Sequence, residues 1–435
     1  MMFPAPLIAA STASSGAHST ESIPLSSVLV LIGIIGAAYL IGHVLLLRFQ
    51  KRFLAITGLE YIVLGAVLGP SIVPDVQILA DLDRLVPILG FACGWVGLLY
   101  GMDVGQHYRK TIELAGVRLA VIQFGVVTAI VSAGFFGLME SGWWFPPLPF
   151  SDAWVGSITA GCAATATASS AVYLIQERYP KTASSETLLR VFYSGQISTG
   201  LAILLMGGLF CIFHNGASPQ LDTGPSDWIL MTVCLGILLG LLFALYLGHE
   251  DNESQKFLVL VGILLFASGA TFFLQLSVIA VNFLLGIVLV NSRQGQGLLN
   301  TVKSSRQPTT LILLVFAGAL WRPVPWLPGI ALVGSVVVLR WVGLTLSARL
   351  ASYNSPLRHD LSRGLIGQGD GALAIAITAQ LMYDGIALDY AYTATLASVV
   401  VYQAFSPRRL RDLLADSGEL KEDSLATPSQ RASGA

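Results

Sequence analysis

The sequence predicts an all-α polytopic membrane protein of about thirteen transmembrane helices, arranged as two inverted six-helix repeats with crossed broken helices. Three observations carry that prediction. Of the 435 residues, 54% are hydrophobic and only 11% are charged, and mean hydropathy is +0.72; soluble domains carry roughly 25% charged residues. The basic residues fall almost wholly in alternate loops. The stretch Arg363-Gly364-Leu365-Ile366-Gly367-Gln368-Gly369-Asp370-Gly371, running into 372–382, has the composition of a membrane helix yet holds four glycines and a carboxylate. An unsatisfied backbone group costs several kcal/mol in lipid, and a charge at the bilayer centre costs roughly 2.5–3.5 kcal/mol. Such a break is tolerated where it faces protein or a water-filled cavity.

Taken in order, residues 1–23 are rich in Ser, Ala and Thr and contain no Lys or Arg, so they read as a mobile N-terminal tail. Hydropathy and turn residues then place segments at 24–48, 54–74, 84–103, 114–138, 152–175, 186–213 and 226–247. The second half gives 256–273, 276–292, 307–321, 328–350, 364–383 and 388–406. The division between the eighth and ninth segments is set at Gln275, where no strong turn residue marks it. The transmembrane domain so defined covers 24–411, and 412–435 reads as a disordered cytoplasmic tail.

Loop charges orient the chain. One side carries Arg48, Lys51, Arg52, Arg109, Lys110, Arg118, Arg178, Lys181 and Arg190 in the first half, and a matching set from Lys256 to Arg411 in the second. The other side carries only Arg84 and Arg322. The positive-inside rule then puts the N-terminus outside and the C-terminus in the cytoplasm, as expected of a bacterial inner (plasma) membrane protein. A net charge of −1 argues against a nucleic-acid partner. Cys93, Cys162, Cys211 and Cys234 stand singly without metal or redox spacing. No cofactor motif or nucleophile–base arrangement stands out, so neither an enzyme nor a cofactor is expected.

An odd number of segments suggests two six-helix halves of opposite orientation about a linking seventh, the plan of many secondary transporters. The twelfth segment then matches the fifth, whose run Gly161-Cys162-Ala163-Ala164-Thr165-Ala166-Thr167-Ala168-Ser169-Ser170 has almost no bulk. A tight helix interface would explain that run; its symmetric position favours a pair of broken helices. Arg340, mid-way along the eleventh segment, stays protonated and requires a partner. Asp370 is the expected one, either as part of a site or as a structural salt bridge. Gln368, Thr165, Thr167, Ser198 and Thr199 offer polar groups near the crossing, and Glu60 is expected at membrane depth as a cavity or packing residue. Asp103, Asp152, Asp384 and Asp389 sit near segment ends, where solvation is the simpler expectation.

These residues resemble the monovalent cation/proton antiporter superfamily over about 25–411. The stretch from Gly58 to Gly69-Pro70 resembles the family's second-segment pattern ending in Leu-Gly-Pro, and the run from Leu276-Ser277 to Val288-Leu289 resembles its ninth. Arg340 matches a basic residue of its eleventh segment, and Gln368-Gly369-Asp370 stands where many members have Arg-Gly-Glu. The resemblance implies the sodium/proton antiporter fold, with segments 1–3 and 8–10 as a dimerisation domain and segments 4–6 and 11–13 as a moving core. It further implies elevator-type exchange of protons for a monovalent cation (sodium or potassium), Asp370 as the titrating group, the bilayer as surroundings and a homodimer. One departure matters. Cation-exchanging members place an acid in the sixth segment, whereas this chain has Ser198-Thr199. If Asp370 pairs with Arg340, the inferred site is already neutral, and an added cation leaves a net positive charge in a low dielectric. Cation exchange then requires another acid to reach the site or Arg340 to pair elsewhere. The alternatives are a carrier of the same fold for an anion or a polar neutral solute, or a transport-inactive membrane scaffold or sensor.

Overall fold

The computed structural model describes residues 58–69, 82–109, 114–142, 148–182, 185–213, 224–247, 253–292, 295–353, 355 and 357–420. The expected tail 1–23 and the first segment, 24–48, lie outside the described residues. In chain order the helices are α1 (Leu59–Leu68), α2 (Leu82–Arg109), α3 (Leu114–Glu140), α4 (Phe150–Thr165), α5 (Ser170–Arg178), α6 (Glu186–Ile212) and α7 (Pro225–Leu247). There follow α8 (Glu253–Phe273), α9 (Val278–Val290), α10 (Gly295–Ser304), α11 (Arg306–Ala319), α12 (Trp326–Ser352), α13 (Asp370–Met382) and α14 (Ile386–Asp416). Among the described residues, seven helical spans are long and apolar enough to cross a membrane. Many large apolar side chains on them face outward, Leu238, Leu242 and Leu245 of α7 and Phe266 of α8 among them. With no water to solvate these faces inside a bilayer, they are lipid-facing, and the protein is an integral membrane protein.

Two groups of helices can be followed through their packing. In the first, α2 lies against α9 and α1 against α11, with α7 and α8 flanking α9. The α2–α9 contact is a close backbone approach: a Cβ at Gly101 would fall 2.0 Å from the Phe283 carbonyl oxygen, and one at Gly286 would fall 2.4 Å from that of Leu98. Small residues at a membrane helix interface permit this approach. In the second group, α3 packs on α12, α4 and α6, and α14 covers α4 and α12. The short helix α13 touches both groups, through α4 and α14 on one side and α2 on the other.

Both expected breaks are present. In the fifth segment α4 ends at Thr165, the Ala166 N–H making the last helical bond to the Cys162 carbonyl; Ala166 is extended, and α5 restarts at Ser170. In the twelfth, a 3₁₀ turn over His359–Arg363 gives way to the non-helical run 367–369 before α13 begins at Asp370. The two breaks meet, the Ala168 N–H donating to the Gly367 carbonyl at 3.0 Å.

The chain turns at Gln275 between α8 and α9, in the left-handed region at φ 53°. The Leu276 N–H closes the turn onto the Thr271 carbonyl at 2.8 Å, the six-to-one bond of a helix C-terminus that glycine usually occupies. Two elements depart from expectation. Helix α10, which buries Leu298, Leu299 and Val302, stands in what the sequence reads as a loop. The last helix continues to Asp416, so residues 412–420 are packed rather than part of a disordered tail. Leu413, Leu414 and Leu420 are buried, and the Glu419 carboxylate accepts from Ser185 and Thr187 at the start of α6.

Candidate ion site at the helix crossing

Breaking two helices side by side strands their carbonyl oxygens, and Arg340 answers that need. Fully buried on α12, its Nε donates to the Ala164 carbonyl at 2.6 Å, Nη1 to that of Ile366 at 2.5 Å and Nη2 to that of Gly367 at 3.1 Å. The guanidinium lies over the Tyr402 ring, 4.3 Å from its centroid. The planar fork of donors suits several fixed oxygens as a point charge would not. The expected pairing of Arg340 with Asp370 is therefore corrected: Arg340 serves the broken backbone, and Asp370 is held by other groups. Gln368 braces the same junction, its Nε2 donating to the Ala163 carbonyl and its Oε1 accepting from Ser398, each at 2.9 Å.

Asp370 is the first residue of α13, where unpaired N–H groups and the helix dipole favour a negative charge. Its Oδ1 accepts from the Tyr100 hydroxyl at 2.9 Å and from the Gly371 N–H at 3.1 Å. Its Oδ2 accepts from Arg306 Nε at 3.1 Å. Arg306 opens α11 and also reaches Asp103 on α2, Nη1 to Oδ2 at 3.3 Å. Lys303, near the end of α10, holds the other Asp103 oxygen at 3.3 Å. Tyr100 and Asp103 stand three residues apart and so share a face of α2. The guanidinium of Arg306 also lies against the rings of Tyr100 and Tyr173, at 5.3 and 5.5 Å. Exposure grades outward, from 0% for the Asp103 side chain through 7% for Asp370 and 11% for Arg306 to 31% for Lys303. Lys303 thus marks the watery end of the cluster.

The other expected residues divide. Thr167 and Thr199 meet at the crossing, the Thr167 N–H donating to Thr199 Oγ1 at 2.9 Å, with Gln123 donating to Thr167 Oγ1 at 3.0 Å. Ser198 is spent on its own helix, donating to the Gly195 carbonyl. Thr165 bonds the Gly161 carbonyl and Thr128. Glu60 lies on α1, which packs on α11, and makes no ion pair among the described residues. Asp103 corrects its expectation outright, since it is buried and doubly paired. The apolar run ends there, but α2 continues for six residues to Arg109, so Asp103 lies well inside the helix. Sequence reasoning likewise missed Tyr100, Arg306 and Lys303. The Tyr100–Asp103 spacing was the signal available for α2. At the opposite end, Arg322 pairs with Asp384 at 2.7 Å and with Asp389 at 3.7 Å, joining the α11–α12 and α13–α14 connections.

No family model and no curated protein matches the sequence. Among solved structures, the chain is similar to the sodium proton antiporter MjNhaP1 from Methanocaldococcus jannaschii at pH 8, with a TM-score of 0.57 and 16% identity. The match covers 88% of this chain and 99% of that one. Together with the crossed broken helices, that likeness gives this integral membrane protein the sodium/proton antiporter fold.

Proposed function

We propose that this protein is a secondary active transporter that exchanges protons for a monovalent cation, sodium or potassium, by elevator-type alternating access, with Asp370 as the titrating group. The observation that carries the proposal is a nearly buried carboxylate at the helix crossing, sharing one guanidinium with a second carboxylate, Asp103. The charges of Asp103, Asp370, Arg306 and Lys303 sum to zero. A proton or an alkali ion on Asp370 adds one positive charge, so either weakens the hold of Asp370 on Arg306, which remains with Asp103. One carboxylate cannot serve both at once, so each expels the other, and that competition is the condition for coupled exchange. Asp103 is a second acid at the crossing, its charge matched by Lys303 and shared with Arg306, so Arg306 has a carboxylate to keep when Asp370 is taken by a proton or cation. The Thr167 carbonyl and the Thr199 hydroxyl are uncharged oxygens of the kind alkali ions accept. In the same reading the chain is a homodimer joined through α1, α2, α8, α9 and α11, in an inner membrane with its C-terminus cytoplasmic.

A second reading rests on one atom. Arg306 Nη2 is buried and has no hydrogen-bond partner among the described residues, which favours a carrier of the same fold for an anion or a polar neutral solute. Proton flux in proteoliposomes under an imposed pH gradient separates the two. Sodium, potassium, lithium and chloride are supplied in turn to wild type and Asp370→Asn. Flux driven by an alkali cation and abolished by the substitution supports exchange through Asp370. Flux that answers to chloride and to no cation overturns it in favour of the second reading.

A further inference from the structure

Apart from the candidate ion site, α12, the 3₁₀ turn and α14 line an open cavity of about 270 Å³. Its lining includes Arg349, Arg363 and Arg409 against a single carboxylate, Asp360. That carboxylate is already engaged by Arg358 at 3.5 Å and His359 at 2.8 Å, and Arg363 is paired with Asp416 at 2.7 Å. Arg349 and Arg409 are exposed and have no side-chain hydrogen bond or ion pair among the described residues. Two arginines thus line one cavity without an ion pair among the described residues, the one carboxylate beside them, Asp360, being engaged by Arg358 and His359.

The cavity opens along a lipid-facing surface. Trp341, Thr345 and Arg349 line it and, four residues apart, form one stripe of α12. Trp341 is 54% exposed, and Val342, Leu346 and Leu350 beside it are exposed as well. From the membrane toward the surface, the stripe runs apolar ring, hydroxyl, guanidinium. That order matches the acyl chain, ester and phosphate of a phospholipid, whereas a free phosphate would have use for the arginines alone. We propose that this cavity binds the headgroup of an anionic phospholipid, its phosphate held by Arg349 and Arg409 and its chain lying along Trp341. Ile366 forms part of the wall, and its carbonyl is one of the three that Arg340 holds. A bound headgroup therefore braces the segment leading into the helix crossing.

The test is thermal melting of the detergent-purified full chain, titrated with phosphatidylglycerol, phosphatidylcholine or inorganic phosphate. The variants are wild type, the double variant Arg349→Gln/Arg409→Gln, and Lys256→Gln as a charge control on α8. Both arginines are exposed and unpaired, so the double variant is expected to fold and to melt as wild type does without lipid. Phosphatidylglycerol should stabilise wild type and Lys256→Gln, with an apparent affinity roughly thirtyfold weaker in the double variant. Equal stabilisation of the double variant and wild type would overturn the site. A shift reproduced by inorganic phosphate, or by phosphatidylcholine, would overturn its assignment to an anionic lipid.

Discussion

At the scale of single residues, two arginines divide the labour. Arg340 is a structural cation, two of whose carbonyl acceptors, those of Ala164 and Ile366, would otherwise be buried without partners, while that of Gly367 also accepts from Ala168. Each such orphan costs about 1–3 kcal/mol. Arg340→Lys retains the charge but cannot place three coplanar donors, so it should lower stability by about 3 kcal/mol or more, read as a drop in melting temperature of the purified protein. Arg306 is the shared counterpart, set between two carboxylates, Asp103 and Asp370. A double-mutant cycle of Arg306→Gln and Asp103→Asn, followed by melting, should show coupling of about 1 kcal/mol or more, since removing either partner leaves the other's buried charge only partly matched, by Asp370 or by Lys303. Additive effects would mean that the two do not share their charge. Asp370 and Thr167 were legible in the sequence because glycine and small-residue runs mark the places where backbone breaks, and Thr199, on the unbroken α6, because it is a polar residue in an apolar segment next to one of them. The partner of Arg340 was not, because the oxygens it serves exist only once two breaks from distant parts of the chain lie side by side. Asp103 and Arg306 escaped because each looks like the solvated end of an apolar run, and only the extension of α2 and the docking of α10 bury them.

Among the elements, the long apolar helices and both breaks followed from hydropathy and composition. The turn between α8 and α9 rested on Gln275 with little local chemistry to support it, and that residue does carry the left-handed conformation. A side chain there is strained, and glycine relieves the strain while adding entropy to the unfolded chain. Gln275→Gly should therefore be neutral to stabilising by up to about 1 kcal/mol, a small upward shift in melting temperature. A clear loss of stability would mean that the Gln275 side chain contributes more than its backbone strain costs. At the α2–α9 interface the sign reverses: Gly101→Leu has nowhere to put its side chain and should abolish folding or yield a chain that aggregates on extraction, checked by gel filtration. Helix α10 was illegible as an element because its ten residues hold only one narrow apolar face between two membrane segments. It nevertheless brings Lys303 to Asp103 at the candidate site.

At the scale of the whole molecule, the proposed transport cycle requires the group containing α4, α6, α12, α13 and α14 to slide against that containing α2, α9 and α11. Ion pairs span the division at both ends, Arg306 with Asp370 at one and Arg322 with Asp384 at the other. Locking the Arg322–Asp384 pair should arrest the cycle. With Cys234, the exposed native cysteine, replaced by serine, Arg322→Cys/Asp384→Cys cross-linked in proteoliposomes should lose proton flux, and reduction should restore it. Undiminished flux in the cross-linked protein would exclude relative movement at that end. The most direct test of the central claim, that one carboxylate serves proton and cation by turns, needs no membrane. Sodium or potassium is added to purified protein in weakly buffered detergent solution, and the released protons are counted with a pH electrode. Competition at Asp370 predicts release of up to about one proton per chain in wild type, largest where Asp370 is protonated before the cation arrives, and none in Asp370→Asn. Equal release from both proteins, or no release from wild type at any starting pH at which the cation binds, would contradict it.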